Sequence, residues 1–437
     1  MTSRSLKWAA ISAVATACMS AAQAQSLLEL YEAAKTYDAA VLAARANTKA
    51  AEFKAAQADA LSRPSASLSG SATASFLDQP RGTGDTNAIG ATVSGRFPLL
   101  NRANQATIAQ ARRSLQLART DLQSSEQDLI IRLSQAYFDV LTSQQALEAT
   151  KASKAAITEQ LASARRNFEV GTATITDTRE AQARFDLALA QEIAAENDLR
   201  TKRIALDQLV GAAGVAPKGL RSGLILPPVT PDDVQAWVDK AAGEHPAVIK
   251  AALGVEIAKL ESSKAAAAEK PTVDAVGSLN TTRNGGSFAT SSGMSSSAQV
   301  GLQFNMPLYT GGSTQNRIRE TAELEGKARN DLAAAQRSVS QATRQAFFGL
   351  QSGRAQIKAL EAAEASSRLA LEATQLGYRV GVRVNLDVLN AQTQLFQTRA
   401  NLARAMNDSV LAGLRLKLAA GQLTAQDLAE VSGLLER

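Results

Sequence analysis

The chain has 437 residues and a formal net charge of +6, two units of which come from Arg4 and Lys7 near the N-terminus. The +4 that remains (6 − 2) is too dilute over the rest of the chain to recruit nucleic acid. Aromatic residues make up 4% of the sequence while Ala, Gln, Ser and Arg abound. That balance argues against a large globular core and for thin, elongated helical packing.

The first element, residues 1–24, reads as a secretory signal. Arg4 and Lys7 form its positive region, Trp8 to Met19 its short apolar run, and Ala22-Gln23-Ala24 an A-x-A cleavage site. The run is shorter than the ~20 residues a membrane-spanning helix needs. Ala15-Thr16-Ala17-Cys18 is loosely lipobox-like, with Ala where Leu is usual, so lipidation of Cys18 stands as the alternative to cleavage after Ala24. Cys18 is the sole cysteine, and a chain cleaved after Ala24 can form neither a disulfide nor a thiolate metal site.

The remainder runs through one pattern twice. Gln135-Ala136-Tyr137-Phe138 recurs as Gln345-Ala346-Phe347-Phe348, an offset of 345 − 135 = 210. Phe168-Glu169-Val170-Gly171 recurs as Tyr378-Arg379-Val380-Gly381, again 381 − 171 = 210. The repeats occupy 25–215 and 216–437. In the first, a helix leads into a β-hairpin over 65–99, a long helix over 101–170 and a return helix over 174–210. In the second, a helix over 246–270 leads into a hairpin over 272–309, a long helix over 313–380 and a return helix over 385–420.

The hairpins show period two. In Ser65–Phe76 the odd positions are Ser or Thr, and the even ones are Ala66, Leu68, Gly70, Ala72, Ala74 and Phe76. Ile89, Ala91, Val93, Gly95 and Phe97 form the apolar face of the next strand. The second copy has Val273, Ala275, Gly277 and Leu279, then Ala298, Val300, Leu302, Phe304 and Met306. Asp78–Asn87 and Asn280–Ser296, rich in Gly, Ser, Thr and Asn, are expected to be long loops.

Strands of about ten residues suit a membrane β-sheet. Lipid cannot satisfy unpaired backbone groups, and four strands cannot close a barrel, since the smallest use about eight. Other copies must then pair the edges, a requirement that does not choose between two copies and three. A soluble sandwich sheet would alternate in the same way.

No proline occurs between Pro98 and Pro217, and none follows Pro307, which leaves room for long helices. Ile108, Leu115, Leu122, Leu129 and Ala136 are spaced by seven, as are Leu133, Val140 and Leu147. Leu332, Val339 and Ala346, with Leu350 and Ile357, continue both series in the second copy. The spacing predicts coiled-coil packing of helices about 100 Å long. Gly171 and Gly381 end the outgoing helices, and Asp177 and Asp387 fall in the first turns of the returning ones.

Signal segment, duplication, strand hairpins and helical hairpins together resemble the TolC family of outer-membrane efflux proteins over nearly the whole chain. The motifs that carry the resemblance are Gln135-Ala136-Tyr137-Phe138-Asp139-Val140-Leu141 and Arg166-Asn167-Phe168-Glu169-Val170-Gly171 with Ile175-Thr176-Asp177. Gly377-Tyr378-Arg379-Val380-Gly381 with Leu386-Asp387-Val388-Leu389, and Phe304-Asn305-Met306-Pro307-Leu308-Tyr309-Thr310-Gly311-Gly312, belong with them.

The resemblance implies a mainly α fold: long helical hairpins build an α-barrel, and four strands per protomer contribute to a trimeric, twelve-stranded outer-membrane β-barrel. An equatorial segment, 211–243, would girdle the helices. It further implies the exit duct of a tripartite export system, with a periplasmic adaptor (membrane fusion protein) and an inner-membrane transporter as partners. An ABC-type transporter is favoured over a proton-driven pump. Cargo would be polypeptides or small toxic compounds.

Gate roles carry over by position. Tyr378 and Arg383 match residues that tie the inner hairpin to the outer one, and Thr176 and Asp177 match their partners. Asp387 matches one of two acidic constriction positions; the second is Asn390 here, which departs from the pattern and weakens the expected cation block. The tips, Val170-Gly171-Thr172 and Val380-Gly381-Val382, match the adaptor dock. Asp177 and Asp387 also have an ordinary role open to them, since an acid near a helix N-terminus is favourable by ~0.3–1 kcal/mol.

No phosphate loop, metal cluster or nucleophile motif suggests an enzyme, and no cofactor is expected. The only histidine, His245, precedes Pro246 and fits a turn. A secreted soluble coiled-coil scaffold or surface structural protein is the competing class. It explains the heptads but not paired alternating strands at equivalent places in both repeats.

Overall fold

The computed structural model describes residues 26–80, 82–172, 174–221, 227–287, 289 and 292–436. The signal segment with Cys18 lies outside them, as do residues 222–226 of the expected equatorial segment. Two compact units are present. One comprises the chain up to Ala43, Gln123–Pro246 and the chain from Arg337; the other comprises Ala44–Leu122 and Ala247–Gln336. The units are therefore not the two repeats, because each unit takes matching segments from both.

In chain order the elements are α1 (Leu27–Tyr37), α2 (Ala39–Asp59), β1 (Ser65–Gln79), β2 (Gly82–Leu100), α3 (Arg102–Glu169) and α4 (Ile175–Val210). They continue with α5 (Val234–Glu244), α6 (Pro246–Ala267), β3 (Thr272–Gly285), β4 (Gly293–Asn305), α7 (Ser313–Arg379), α8 (Asn385–Ala419) and α9 (Ala425–Ser432). His245 caps the C-terminus of α5, its N–H donating to the Ala241 carbonyl at 3.1 Å, and Pro246 opens α6. Proline at a first helical position costs nothing there, because that N–H has no intrahelical acceptor.

The second unit holds the sheet, a single antiparallel layer in the order β1-β2-β3-β4. Pairing runs from Ser65↔Arg96 to Gln79↔Gly82, from Asn87↔Gly285 to Leu100↔Val273, and from Thr272↔Asn305 to Asn284↔Gly293. Both expected loops are thus largely strand. Ladder hydrogen bonds join backbone groups whatever the side chains, so pairing continues past the point where the faces stop alternating.

The helical segments of this unit follow the same order, α2-α3-α6-α7, and are joined by charge. Arg112 and Arg119 of α3 meet Asp59 and Glu52 of α2 at 2.9 and 3.3 Å. Arg113 and Asp121 meet Glu256 and Lys250 of α6 at 2.8 and 3.1 Å. Glu261 of α6 accepts from Arg317 of α7 at 2.7 Å, a bond that holds its carboxyl below the usual range.

The first unit contains the helical hairpins α3–α4 and α7–α8 from Gln123 and Arg337 onward. Leu129, Leu133 and Val140 are fully buried, and Leu147, Val339, Leu350 and Ile357 nearly so. Leu122 and Ala136, which flank Leu129 in the same seven-residue series, are only half-covered within the chain. The repeat is visible in the packing: Tyr137 and Phe138 meet edge-on at 5.6 Å, and Phe347 and Phe348 do so at 5.7 Å. Trp237, Phe347, Leu350, Leu416 and Ala420 form one core cluster. Tyr137, fully buried, donates to the Lys218 carbonyl at 3.0 Å and accepts from its N–H at 2.8 Å. Burial pushes its phenol pKa up.

Within each hairpin the polar contacts include ion pairs, such as Lys151–Glu196 at 3.0 Å and Arg399–Glu364 at 2.9 Å. Between the hairpins, where α3 meets α8, amides dominate. Asn407, fully buried, donates to Thr142 Oγ1 at 3.0 Å and to Gln145 Oε1 at 3.1 Å. Gln135 Oε1 accepts from Arg415 at 2.6 Å.

Candidate functional site

Two regions hold the residues of interest, one in each unit. In the sheet, residues directly opposite one another project to the same side, so register decides what each face carries. The pairs Leu68↔Val93, Val93↔Leu279 and Leu279↔Ala298 place the apolar positions of all four strands on one face. That face is uncovered: Leu68 is 75% exposed, Val300 91% and Leu302 73%.

The opposite face carries Ser67, Ser94 and Ser278, with Ser67 and Ser94 sharing a hydrogen bond of 2.8 Å. It also carries Arg96, which bonds the buried Asp274 at 2.5 Å. Among the described residues β1 has only β2 as a neighbour and β4 only β3, so both edges are open. An apolar face without cover suits lipid, and a sheet without closed edges leaves backbone groups unpaired at both ends.

In the helical unit the two tips are built alike. Gly171 and Gly381 both take φ +78°. In the first tip the N–H groups of Gly171 and Thr172 donate to Phe168 and Asn167 at 3.0 and 2.8 Å. In the second, those of Gly381 and Val382 donate to Tyr378 and Gly377 at 3.1 and 2.9 Å. This double bond closes a helix end only when the next residue is left-handed, a conformation glycine takes without strain. Val170, Thr172, Val380 and Val382 surround these glycines and are exposed.

The returning helices start differently. Thr174 caps α4 in a reciprocal box: its N–H and Oγ1 donate to Asp177 Oδ2 at 2.9 and 2.8 Å, and Asp177 N–H donates to Thr174 Oγ1 at 3.3 Å. The equivalent cap of α8 is Val384 (174 + 210), which makes no side-chain bond. Asp387 is left half-exposed and pairs with Arg383 at 3.5 Å.

The expected ties of Tyr378 and Arg383 to Thr176 and Asp177 are therefore not formed within this chain. Thr174 and Arg383 each lie close in sequence to an acid and take it first, at little entropic cost. Thr176 is exposed.

Three hydrogen bonds do join the hairpins here. Asn167 Nδ2 donates to Tyr378 Oη at 3.2 Å, and Arg184 donates to Asn390 Oδ1 at 3.0 Å. Nearby, Gln160 donates to the buried Asn385, and Leu389 packs with Ile157 and Ala188. Asn167, Arg184, Gln160 and Asn385 escaped sequence reasoning. The first stood inside a quoted motif, and the others carry no local pattern. Among the described residues no group of three or more His, Cys, Asp or Glu is placed to hold a metal. No described helix is long and apolar enough to cross a membrane.

Long helical hairpins, with a one-sided and open-edged sheet, define the class of outer-membrane exit ducts. The model of the outer membrane efflux protein family matches residues 30–212 and 237–422. Outer membrane protein TolC of Vibrio cholerae is 31% identical over 425 residues, covering 97% of this chain and 96% of the relative. Alkaline protease secretion protein AprF of Pseudomonas aeruginosa is 34% identical over 309 residues, 70% of this chain and 64% of AprF. The solved outer membrane protein VceC of Vibrio cholerae shares the fold, with a TM-score of 0.75 at 20% identity over 90% of this chain and 96% of that one. The chain belongs to the outer membrane efflux protein family, and it is an outer-membrane protein that serves export.

Proposed function

We propose that three copies of the chain assemble the exit duct of a tripartite export machine, gated at the periplasmic tip of its helices. The observation that carries this is the open-edged sheet with one uncovered apolar face. Three such sheets make twelve strands, enough to close a barrel, and closure removes every unpaired edge.

Asn167–Tyr378 and Arg184–Asn390 tie the hairpins in the closed state, with Arg383, Asp177 and Thr176 beside them. Parting the hairpins exchanges these neutral and singly charged hydrogen bonds for bonds to water, a small net cost per bond of about 1 kcal/mol. Asp387 supplies one carboxylate ring at the constriction and Asn390 a ring of amides. The exposed tips, Val170-Gly171-Thr172 and Val380-Gly381-Val382, dock the adaptor. The kinship with a protein named for alkaline protease secretion favours polypeptide cargo and an ABC-type transporter behind the adaptor.

Fractionation and the mass of the detergent-solubilised particle test the reading. The expected result is an outer-membrane protein with the mass of three chains. A monomer that dissolves without surfactant refutes it.

A further inference from the structure

The described residues of the four strands contain two cations, Arg96 and Arg283. Arg96 lies on the polar face and is neutralised by Asp274. Arg283 lies on the other face, the apolar one, directly opposite Ile89 on β2 and Met294 on β4. Those neighbours are 65% and 74% exposed, Arg283 is itself exposed, and its side chain makes no hydrogen bond or ion pair with any described residue. Two carboxylates share that face and margin: Asp78, exposed on β1, and Asp85, turned to Ser287, whose Oγ donates to it at 2.6 Å.

The height of Arg283 follows from strand geometry. Ten residues separate it from Val273, where the apolar series of β3 begins (283 − 273). At about 3.3 Å per residue and a tilt near 40° they climb about 25 Å, the height of the apolar band on a membrane barrel. Arg283 therefore stands at the far margin of that band, towards the β3–β4 turn and away from the strand ends that join α2, α3, α6 and α7. With the helices in the periplasm, that margin is the outer leaflet. A cation on a lipid-facing surface reaches for the headgroup layer, and the guanidinium fork matches phosphate oxygens two at a time.

We propose that Arg283 is a binding site for the phosphate of an anionic glycolipid of the outer leaflet, with Ile89 and Met294 lying against its acyl chains. The site rests on the outer-membrane reading above. One phosphorylated lipid per protomer would pin the barrel at its outer rim.

The test is lipid retention by the detergent-purified protein, read by native mass spectrometry in EDTA, which removes divalent cations that could bridge phosphate to Asp78. The probes are bis-phosphorylated lipid A and the same lipid with both phosphates removed. Wild type should retain the phosphorylated form about tenfold more than the other, the scale of one charge-assisted bond. Arg283→Leu should lose that preference and Arg283→Lys keep part of it, with assembly mass unchanged in both. An Arg283→Leu protein that keeps the preference, or a wild type that shows none, overturns the site. A wild type that retains neither lipid and floats with no membrane overturns the outer-membrane reading instead, and the site with it.

Discussion

The unequal starts of α4 and α8 make a sharp prediction at Val384. Asp177 is consumed by Thr174, through contacts of 2.9, 2.8 and 3.3 Å, whereas Asp387 has a valine at the same offset and stays available. Val384→Thr would let Asp387 close the same box. A threonine cap contributes ~1 kcal/mol. Forming it breaks the Arg383–Asp387 pair, a 3.5 Å contact with Arg383 62% exposed, worth about 0.4 kcal/mol. The net gain is about 0.6 kcal/mol, roughly a threefold shift in the opening equilibrium of the first turn of α8.

Hydrogen exchange of the Val388 and Leu389 amides should slow by about that factor. In a planar bilayer the same variant should be blocked less by multivalent cations, because the carboxylate now accepts from a backbone N–H and a hydroxyl. Unchanged exchange together with unchanged block would refute the assignment of Asp387 as an acid left outside the helix cap.

Arg184→Ala, which removes the bond to Asn390 of the other hairpin, should raise closed-state conductance in a planar bilayer; no change removes Arg184 from the gate. Val300→Arg, on the uncovered face, should cost about 2–4 kcal/mol and deplete the protein from the outer membrane. Gln299→Arg, one residue away on the polar face, should leave its abundance there unchanged. Asp38 accepts from Arg132 at 2.9 Å and is nearly buried, and that bond holds its carboxyl below the usual range. A carboxyl with a depressed folded pKa stabilises at pH values above its unfolded one. Asp38→Asn should therefore cost about 1–3 kcal/mol at pH 7. The difference in melting temperature from wild type should shrink below about pH 4 and vanish once the depressed value is passed. Melting curves at pH 7 and pH 3 check this.

Much of the fold was legible because its signals are local. Proline-free stretches bounded by Pro98 and Pro307, seven-residue apolar spacing, and glycines at the helix ends all act within a turn or two of the chain. The family was legible for the same reason, since its motifs surround Tyr137, Gly171 and Gly381. The strand ends were not: side-chain alternation reports which face needs to be apolar, and Asp78, Asn87 and Asn284 pair in the ladder without it.

At the gate, residue positions were readable but partners were not. Tyr378 meets Asn167 and Asn390 meets Arg184, each more than 200 residues away. Asp177 and Arg383 were instead claimed by near neighbours, which compete at much smaller loop-closure cost. No periodicity encodes that competition.

By itself the sequence determined the duplicated plan, the helix limits and the alternating strands, because propensity, capping and periodicity are properties of short segments. Only the tertiary structure decided that β2 pairs with β3 across the repeats and that all four apolar faces coincide. It also decided that Arg283, the one cation on that face among the described strand residues, lies between Ile89 and Met294. Each of these depends on register between distant segments, and a slip of one residue would send every side chain to the other side.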